Sequence, residues 1–200
     1  MLKMVPNILT TARVVLAIVF LAMLLCYPSA ENRKSFMDTA FVLFLITAIT
    51  DVIDGPIARK LNVVSKFGRI LDPLADKILV CGAFICFAAI GEPKLFDWSA
   101  GTLKIVQWLT AGVIITREIY VTILRHVAEA RGINFAATFS GKIKMLLQSI
   151  AVGTILIKAA HVPTAEWGHW LTLTVLIITL TLTIISGLRA TQRMFSKQPA

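Results

Sequence analysis

Charged residues are scarce in this chain, and acidic residues are the scarcest. Only 16% of the 200 residues are charged, and 11 Asp and Glu stand against 20 Lys and Arg. In contrast, 57% are hydrophobic and the mean hydropathy is +0.81. A water-soluble domain of this length does not need so much apolar surface. The composition therefore predicts an integral membrane protein, built as a single domain over residues 1–200.

Cysteine and histidine are rare too, and neither shows metal-ligand spacing. We expect the three cysteines to fill gaps in the core and the three histidines to lie at the headgroup level or in loops. The cysteines and histidines are Cys26, Cys81, Cys86, His126, His161 and His169.

The first apolar run is not followed by a small-residue cleavage site. We therefore expect a membrane helix there rather than a signal peptide.

Long apolar segments fill most of the chain. Each has about the 20 residues that a helix needs to cross the hydrocarbon core of a bilayer. Proline, glycine and short polar runs separate them. The pattern predicts an all-α bundle of six transmembrane helices, at roughly 8–28, 36–56, 73–91, 104–124, 143–161 and 169–188.

The distribution of positive charge predicts the orientation of the bundle. With a cytoplasmic N-terminus, only Arg33, Lys34, Lys94, Lys104 and Lys158 lie on the far side, which leaves 15 of the 20 Lys and Arg on the cytoplasmic side. Cytoplasmic loops of membrane proteins carry this excess, and anionic membrane lipids attract it. We therefore expect both termini in the cytoplasm and interpret the net charge of +9 without nucleic-acid binding.

Four aspartates stand out in this apolar sequence, within the segment DVIDGPIARKLNVVSKFGRILDPLADK. Asp51 and Asp54 are spaced i,i+3, and Asp72 and Asp76 are spaced i,i+4, so each pair shares one face of a helix. Carboxylates at a membrane boundary are costly unless they are neutralised. This aspartate frame predicts a divalent-metal site, for Mg²⁺ or Mn²⁺, that handles phosphates at the cytoplasmic face.

The residues between the aspartates fit the same chemistry. Gly55 and Ala58 lie on the helical face of Asp51 and leave a shallow groove for a base or phosphate. Arg59 supplies a planar donor fork suited to a phosphate. Two simpler interpretations stay open: Asp72 before Pro73 has the pattern of a helix N-cap, and the small pair can be ordinary helix packing.

The eight fixed positions of D-x2-D-G-x2-A-R-x8-G-x3-D-x3-D, from Asp51 to Asp76, resemble the signature of the CDP-alcohol phosphatidyltransferase family. The resemblance implies a six-helix membrane bundle, usually a homodimer, with a two-metal site facing the cytoplasm. It implies that the aspartate frame holds the two ions and that Asp76 is the general base. The donor would be CDP-diacylglycerol, with CMP leaving.

The same resemblance implies a donor site. Gly55, Ala58, Arg59 and Ser65 would contact the CDP portion of the lipid. Asn7 and Thr10 either touch the cytidine or simply cap the first helix.

Further segments resemble bacterial phosphatidylglycerophosphate synthases. They are PNILTTAR from Pro6, ILDPLADK from Ile70, TREIYVTILR from Thr116 and GKIKMLLQ from Gly141. That likeness implies sn-glycerol 3-phosphate as the acceptor and a bacterial inner membrane as the location. Met145 departs from the pattern, where a threonine is expected.

An acceptor that carries a phosphate needs a second cationic pocket, and the cytoplasmic ends of the fourth and fifth segments offer one. Arg117 lies within an apolar run, where a buried arginine has either a specific anionic ligand or a structural ion pair with a neighbouring acid. Arg125 and Lys142 either belong to this pocket or are part of the general excess of positive charge on the cytoplasmic side. Arg13 either approaches the donor diphosphate or anchors the first helix. The candidates besides Arg117 are Arg125, Lys142, Lys144 and Arg13.

Other functions remain open from the residues alone. Serine or inositol phosphate could replace the acceptor, although free serine needs no phosphate pocket. A cation transporter would use the acids as an ion path, but it predicts acids near the bilayer midplane and repeated halves. A membrane phosphatase would leave Gly55 and Ala58 without a purpose.

Overall fold

The structure is a computed structural model that describes residues 5–60, 66–131 and 139–196. Within these ranges only the backbone is described for 5–10, 51–60, 66–74, 76, 139–142 and 195–196. Everything described is helical or loop, in agreement with the expected all-α membrane protein. The helices are α1 (Val5–Cys26), α2 (Arg33–Lys60), α3 (Lys66–Ile90), α4 (Ala100–Ala130), α5 (Phe139–His161) and α6 (Glu166–Ser196), and a short 3₁₀ turn (Tyr27–Ser29) follows α1.

Polar side chains begin two of these helices. The Ser99 hydroxyl accepts a hydrogen bond from the Thr102 N–H at 3.3 Å, which caps α4. The Asn32 side chain accepts from the Ser35 N–H at 3.1 Å at the start of α2. Both caps satisfy N–H groups that lack a partner within the helix. Both α2 and α4 therefore start next to a short polar residue that caps the helix.

The six helices pack as a ring. The main contacts join α1 to α3, α3 to α4, α4 to α6, α6 to α5, α5 to α2 and α2 back to α1, while α3 also touches α5. The connections at 27–32, 91–99 and 162–165 lie at one end, here called the short-loop end. The end where α2 finishes and α3 begins is called the aspartate end.

Small and aromatic side chains fill the inside of the ring. Ala17, Ala40 and Ala83 are fully buried, and the rings of Phe20 and Phe44 pack at 5.5 Å between centroids. Small residues let helices approach closely inside a membrane. The outside is apolar as well. Large hydrophobic side chains are exposed there, up to 69% for Ile105, as expected for a surface that contacts lipid.

Three helical stretches are long and apolar enough to cross a membrane by themselves: Thr11–Ser29, Ile143–His161 and Glu166–Met194, in a search limited to the described residues. A shorter apolar stretch, Lys77–Ile90, lies in α3. Each of the six predicted segments overlaps one helix of the structure. Every helix begins before its predicted segment, and α2, α4 and α6 also end after theirs. Helical backbone does not need to stop where the hydrocarbon core ends.

The interpretation of Asp72 as a helix N-cap is wrong. Helix α3 begins at Lys66, six residues earlier, and continues through Pro73 without a break. Asp72 is therefore inside a helix, where a carboxylate cannot cap free N–H groups.

Candidate active site

The backbone places the aspartate frame on two consecutive helices. Asp51 and Asp54 lie in the last turns of α2, and Asp72 and Asp76 lie in α3. Only residues 61–65 separate the end of α2 from the start of α3, so both pairs belong to the aspartate end. Helical spacing keeps each pair on one face. The side chains of these aspartates lie outside the described part of the structure.

The predicted donor residues lie at this end too. Gly55, Ala58 and Arg59 are in the last turns of α2, and Asn7 and Thr10 are in the first turns of α1, with their side chains outside the described set. Ser65 lies outside the described residues altogether, and so does the side chain of Lys142. Among the described side chains, no group of three or more His, Cys, Asp or Glu could hold a metal ion.

A buried polar cluster joins α4, α5 and α6. The Arg117 guanidinium donates from Nη1 to Glu118 Oε1 at 3.1 Å and from Nη2 to Ser186 Oγ at 2.8 Å. Lys144 Nζ donates to the same Glu118 Oε1. The three charged side chains are only 8–13% exposed. We call Arg117, Glu118, Lys144 and Ser186 the inner polar cluster.

The inner polar cluster is linked to the helix that carries Asp72 and Asp76. Lys77 follows Asp76 directly and donates from Nζ to Thr122 Oγ1. The Thr122 hydroxyl in turn donates to the carbonyl of Glu118 at 2.6 Å. This chain of hydrogen bonds connects α3 to the turn of α4 that holds the cluster. The cluster therefore lies at the same end of the bundle as the aspartate frame.

Two other basic residues that the sequence suggested for the site, Arg13 and Arg125, lie outside the inner polar cluster. Arg13 of α1 is 3% exposed, so it does not project into the surroundings of the bundle as a simple interfacial anchor does. Arg125 is exposed on α4, a position that fits ordinary surface charge as well as a role in a site. The structure thus brings Arg117 and Lys144 together and leaves Arg125 at the surface.

An apolar groove runs beside the cluster. It encloses about 510 Å³ between α1, α3 and α4. Isoleucines form much of its wall, and Lys77, Glu118 and Thr122 also line it. A groove with so apolar a wall can take an apolar chain.

The short-loop end holds a second set of buried polar groups. Glu92 accepts a hydrogen bond from the Lys94 N–H at 3.1 Å, and Lys158 donates to the Pro163 carbonyl at 3.2 Å. Burial raises the pKa of the Glu92 carboxyl, although the Lys94 N–H and the positive charges of Lys94, Lys158 and Arg33 favour its ionised form. No sequence motif marked this site.

The histidines at this end have structural contacts that the sequence did not reveal. His169 is buried and its Nδ1 accepts a hydrogen bond from the Phe96 N–H at 2.9 Å, so a neutral ring carries its proton on Nε2. His161 Nε2 lies 2.7 Å from Asp38 Oδ1 and joins the end of α5 to the start of α2. His169 thus lies in the first turn of α6 and not in a loop, and its position at the headgroup level stays a prediction.

Sequence reasoning missed two members of the inner polar cluster. The sequence pattern marked Glu118 only as the acid next to Arg117. It did not mark Ser186, because the segment around Ser186 shows little beyond hydrophobicity. A signal existed for each. A glutamate inside an apolar run needs a partner. Ser186 and Gly187 are two small residues, one of them polar, that interrupt the apolar sequence of α6.

Comparison with known proteins gives a consistent result. The sequence model of the CDP-alcohol phosphatidyltransferase family matches residues 3–185. The CDP-diacylglycerol–glycerol-3-phosphate 3-phosphatidyltransferase of Bacillus subtilis is 35% identical over 91% of this chain and 90% of its own length. The Escherichia coli K12 protein of the same name is 31% identical over 76% of each chain. A probable phosphatidylglycerophosphate synthase of Mycobacterium tuberculosis is 30% identical over 90% of this chain and 77% of its own length.

Proposed function

The chain belongs to the CDP-alcohol phosphatidyltransferase family, and from this premise we propose that it transfers a phosphatidyl group from CDP-diacylglycerol to sn-glycerol 3-phosphate. The products are phosphatidylglycerol phosphate and CMP. Relatives that cover three quarters or more of this chain carry the name of that reaction. The resemblance that the aspartate motif implied is thus confirmed at the level of the family.

The observation that carries the acceptor assignment is the inner polar cluster. Arg117 and Lys144 are two buried cations that meet at one carboxylate at the aspartate end. Two cationic donors so close together suit the several oxygens of an acceptor phosphate. Free serine has no phosphate and needs no such pair.

The aspartate frame fits a pair of divalent ions. Its donor set consists only of carboxylate oxygens, the hard ligands that Mg²⁺ and Mn²⁺ prefer, and two helices present them in pairs at one end. We propose Asp51, Asp54, Asp72 and Asp76 as the ligands. When bound, the ions would neutralise the diphosphate of the donor and stabilise the leaving phosphate.

The chain's own residues would then position and activate the substrates. Asp76 takes the proton from the acceptor hydroxyl as its oxygen bonds to the lipid-side phosphorus. The bond from that phosphorus to the bridging oxygen breaks, and CMP leaves. Arg59 holds a donor phosphate, and the small surface of Gly55 and Ala58 leaves room for the CDP group. The remaining donor contacts that we propose are Ser65, Asn7 and Thr10.

The acceptor phosphate would be held chiefly by Arg117 and Lys144. We propose two further candidates for binding the acceptor phosphate. Lys142 lies two residues before Lys144 on α5, and Arg13 is buried on α1. Arg125 is the weakest candidate because it is exposed. The apolar groove beside the inner polar cluster offers space for a lipid tail of the donor.

We also propose the membrane arrangement. Helices α2, α3 and α4 have 28, 25 and 31 residues, enough to cross a bilayer together with the three more apolar helices. All six then span the membrane as one domain, with both termini and the aspartate end in the cytoplasm of a bacterial cell. A homodimer is expected from the family resemblance.

Acceptor competition tests the proposed reaction. Purified protein in detergent with Mg²⁺ or Mn²⁺ should release CMP from CDP-diacylglycerol when glycerol 3-phosphate is added, and chelation by EDTA should stop the release. Asp76→Asn should abolish turnover and retain donor binding. Equal CMP release with serine or inositol phosphate would refute the acceptor assignment, and a near-normal rate for Asp76→Asn would remove that residue as the base.

A further inference from the structure

Glu118 has an unusual position between two cations. One of its carboxylate oxygens, Oε1, accepts hydrogen bonds both from Arg117 on its own helix and from Lys144 on α5. The side chain is 12% exposed. Because both cations bind the same oxygen of Glu118, this carboxylate fixes the distance between the two positive groups.

The charges of the cluster explain why a carboxylate is needed there. Two positive side chains packed together in a low-dielectric interior repel one another strongly. Glu118 lies between the two cations and offsets this repulsion. Without it, Lys144 and Arg117 would separate, and the pair would no longer present two donors to one anion.

Arg117 is held from its other side as well. Its Nη2 donates to Ser186 on α6, and an added Cβ at Gly187 would lie 3.4 Å from Arg117 Cγ, so α6 packs directly against the side chain. The guanidinium therefore has one anchor on α6 and one on Glu118. Its orientation depends on both.

We infer that Glu118 is a positioning residue of the acceptor site, which holds Arg117 and Lys144 side by side so that both can bind the phosphate of the acceptor. This inference rests on the proposed function, because it assumes that Arg117 and Lys144 bind that phosphate. Glu118 itself would not touch the reacting atoms. Its influence should appear in acceptor binding and not in donor binding.

Steady-state kinetics of Glu118→Gln test this role. The change keeps the size of the side chain and removes its charge. The KM for glycerol 3-phosphate should rise about tenfold or more, since charge-assisted contacts to the phosphate are weakened. The kcat at saturating acceptor and the KM for CDP-diacylglycerol should stay within about twofold of the wild type, because no donor contact is lost.

Glu129→Gln is the matched control. It makes the same chemical change on the same helix, but the Glu129 side chain is 61% exposed and pairs only with His126 among the contacts described. Its kinetic constants should be those of the wild type. Glu118→Asp keeps the charge on a shorter side chain, and its KM for the acceptor should lie between those of the wild type and Glu118→Gln. This variant also serves if Glu118→Gln does not fold.

A double mutant shows whether Glu118 acts through Lys144. Lys144→Met alone should raise the KM for the acceptor, and adding Glu118→Gln to it should raise the KM further by less than about twofold. An unchanged KM in Glu118→Gln and Glu118→Asp, with a raised KM in Lys144→Met and Arg117→Ala, would overturn the positioning role alone. An unchanged KM in all four variants would overturn the acceptor site as well. A lower melting temperature and kcat with an unchanged KM would make Glu118 purely structural and also overturn the inference.

Discussion

Buried charged side chains in this bundle are held in two groups of different character. At the aspartate end, Glu118 pairs with Arg117 and Lys144 through direct contacts. At the short-loop end, Glu92 accepts only a backbone N–H among its described hydrogen bonds, and its positive neighbours act from farther away. Direct pairing offsets desolvation much better than distant charge does. Ionised Glu92 is therefore expected to cost stability, whereas Glu118 is expected to be needed.

The stability of Glu92→Gln should depend on pH in a defined direction. Burial raises the pKa of Glu92 in the folded protein, so its contribution to stability is fully present below the unfolded pKa and is lost as the pH rises through the folded pKa. The neutral glutamine can still accept the Lys94 N–H. The melting temperature of Glu92→Gln should therefore match the wild type near pH 4 and exceed it near pH 7 by a few degrees, at about 2–4 °C per kcal/mol for a chain of this size.

Differential scanning fluorimetry in detergent across this pH range measures the effect. Glu166→Gln, which neutralises an exposed glutamate at the same end, controls for the loss of one negative charge. A melting-temperature difference for Glu92→Gln that stays flat, or that shrinks as the pH rises, would contradict the expected cost of burial.

Helix α6 shows how a stretch without a sequence motif can still be specific. Its start packs against the end of α5, where a Cβ at Gly168 would lie 2.8 Å from Val162 Cγ1 and 3.2 Å from the Val162 carbonyl oxygen. Its later turns pack against α4 through Ser186 and Gly187, and the Tyr120 and Thr191 hydroxyls are 2.8 Å apart. The helix thus supports Arg117 of the inner polar cluster.

The two glycines of α6 should respond differently to alanine. Gly168→Ala forces a methyl group against a backbone carbonyl and should lower the free energy of unfolding by about 1–3 kcal/mol. Gly187→Ala meets only Arg117 Cγ at 3.4 Å, an ordinary contact, and should be neutral or stabilising by up to about 1 kcal/mol because alanine favours helix. Thermal unfolding of both variants in the same detergent makes the comparison. Equal losses at the two positions would show that the close approach at Gly168 does not govern the packing of α6.

On the scale of the whole molecule, the two ends of the helix bundle carry different side chains. The short-loop end carries the aromatic contacts of Phe96 with Trp98, His169 and Trp170. By the predicted topology it carries only 5 of the 20 Lys and Arg. The aspartate end carries the aspartate frame and the inner polar cluster. An excess of positive charge at one end is typical of an oriented membrane protein.

Labelling of single cysteines tests this orientation. In a variant without the three native cysteines, Thr164→Cys at the short-loop end should react with a membrane-impermeant maleimide in intact bacterial cells. Arg131→Cys, just after α4 at the aspartate end, should react only after permeabilisation. Both residues are exposed, so accessibility within the protein does not limit the reaction. The opposite labelling pattern would place the aspartate frame outside the cytoplasm and contradict the proposed function.

The existence of the helices and the identity of the aspartate frame were determined by local sequence. An apolar run of about 20 residues in a bilayer must form a helix, because no water is available to satisfy its backbone groups. The spacing of Asp51, Asp54, Asp72 and Asp76 follows from helical periodicity alone. Hydropathy was therefore enough to predict an all-helical membrane protein, and the resemblance of the eight-position motif indicated its family.

Only the tertiary structure decided which helices meet and which polar groups pair. Arg117 contacts Ser186, 69 residues away, and Lys144 and Arg117 share Glu118 from two different helices. Such contacts depend on small residues that let helix faces approach, since apolar surfaces gain little from one another inside lipid. No local sequence pattern indicates which helix faces meet. The sequence by itself determined the spacing of the aspartate frame, and the packing of α4, α5 and α6 decided the inner polar cluster that accompanies it.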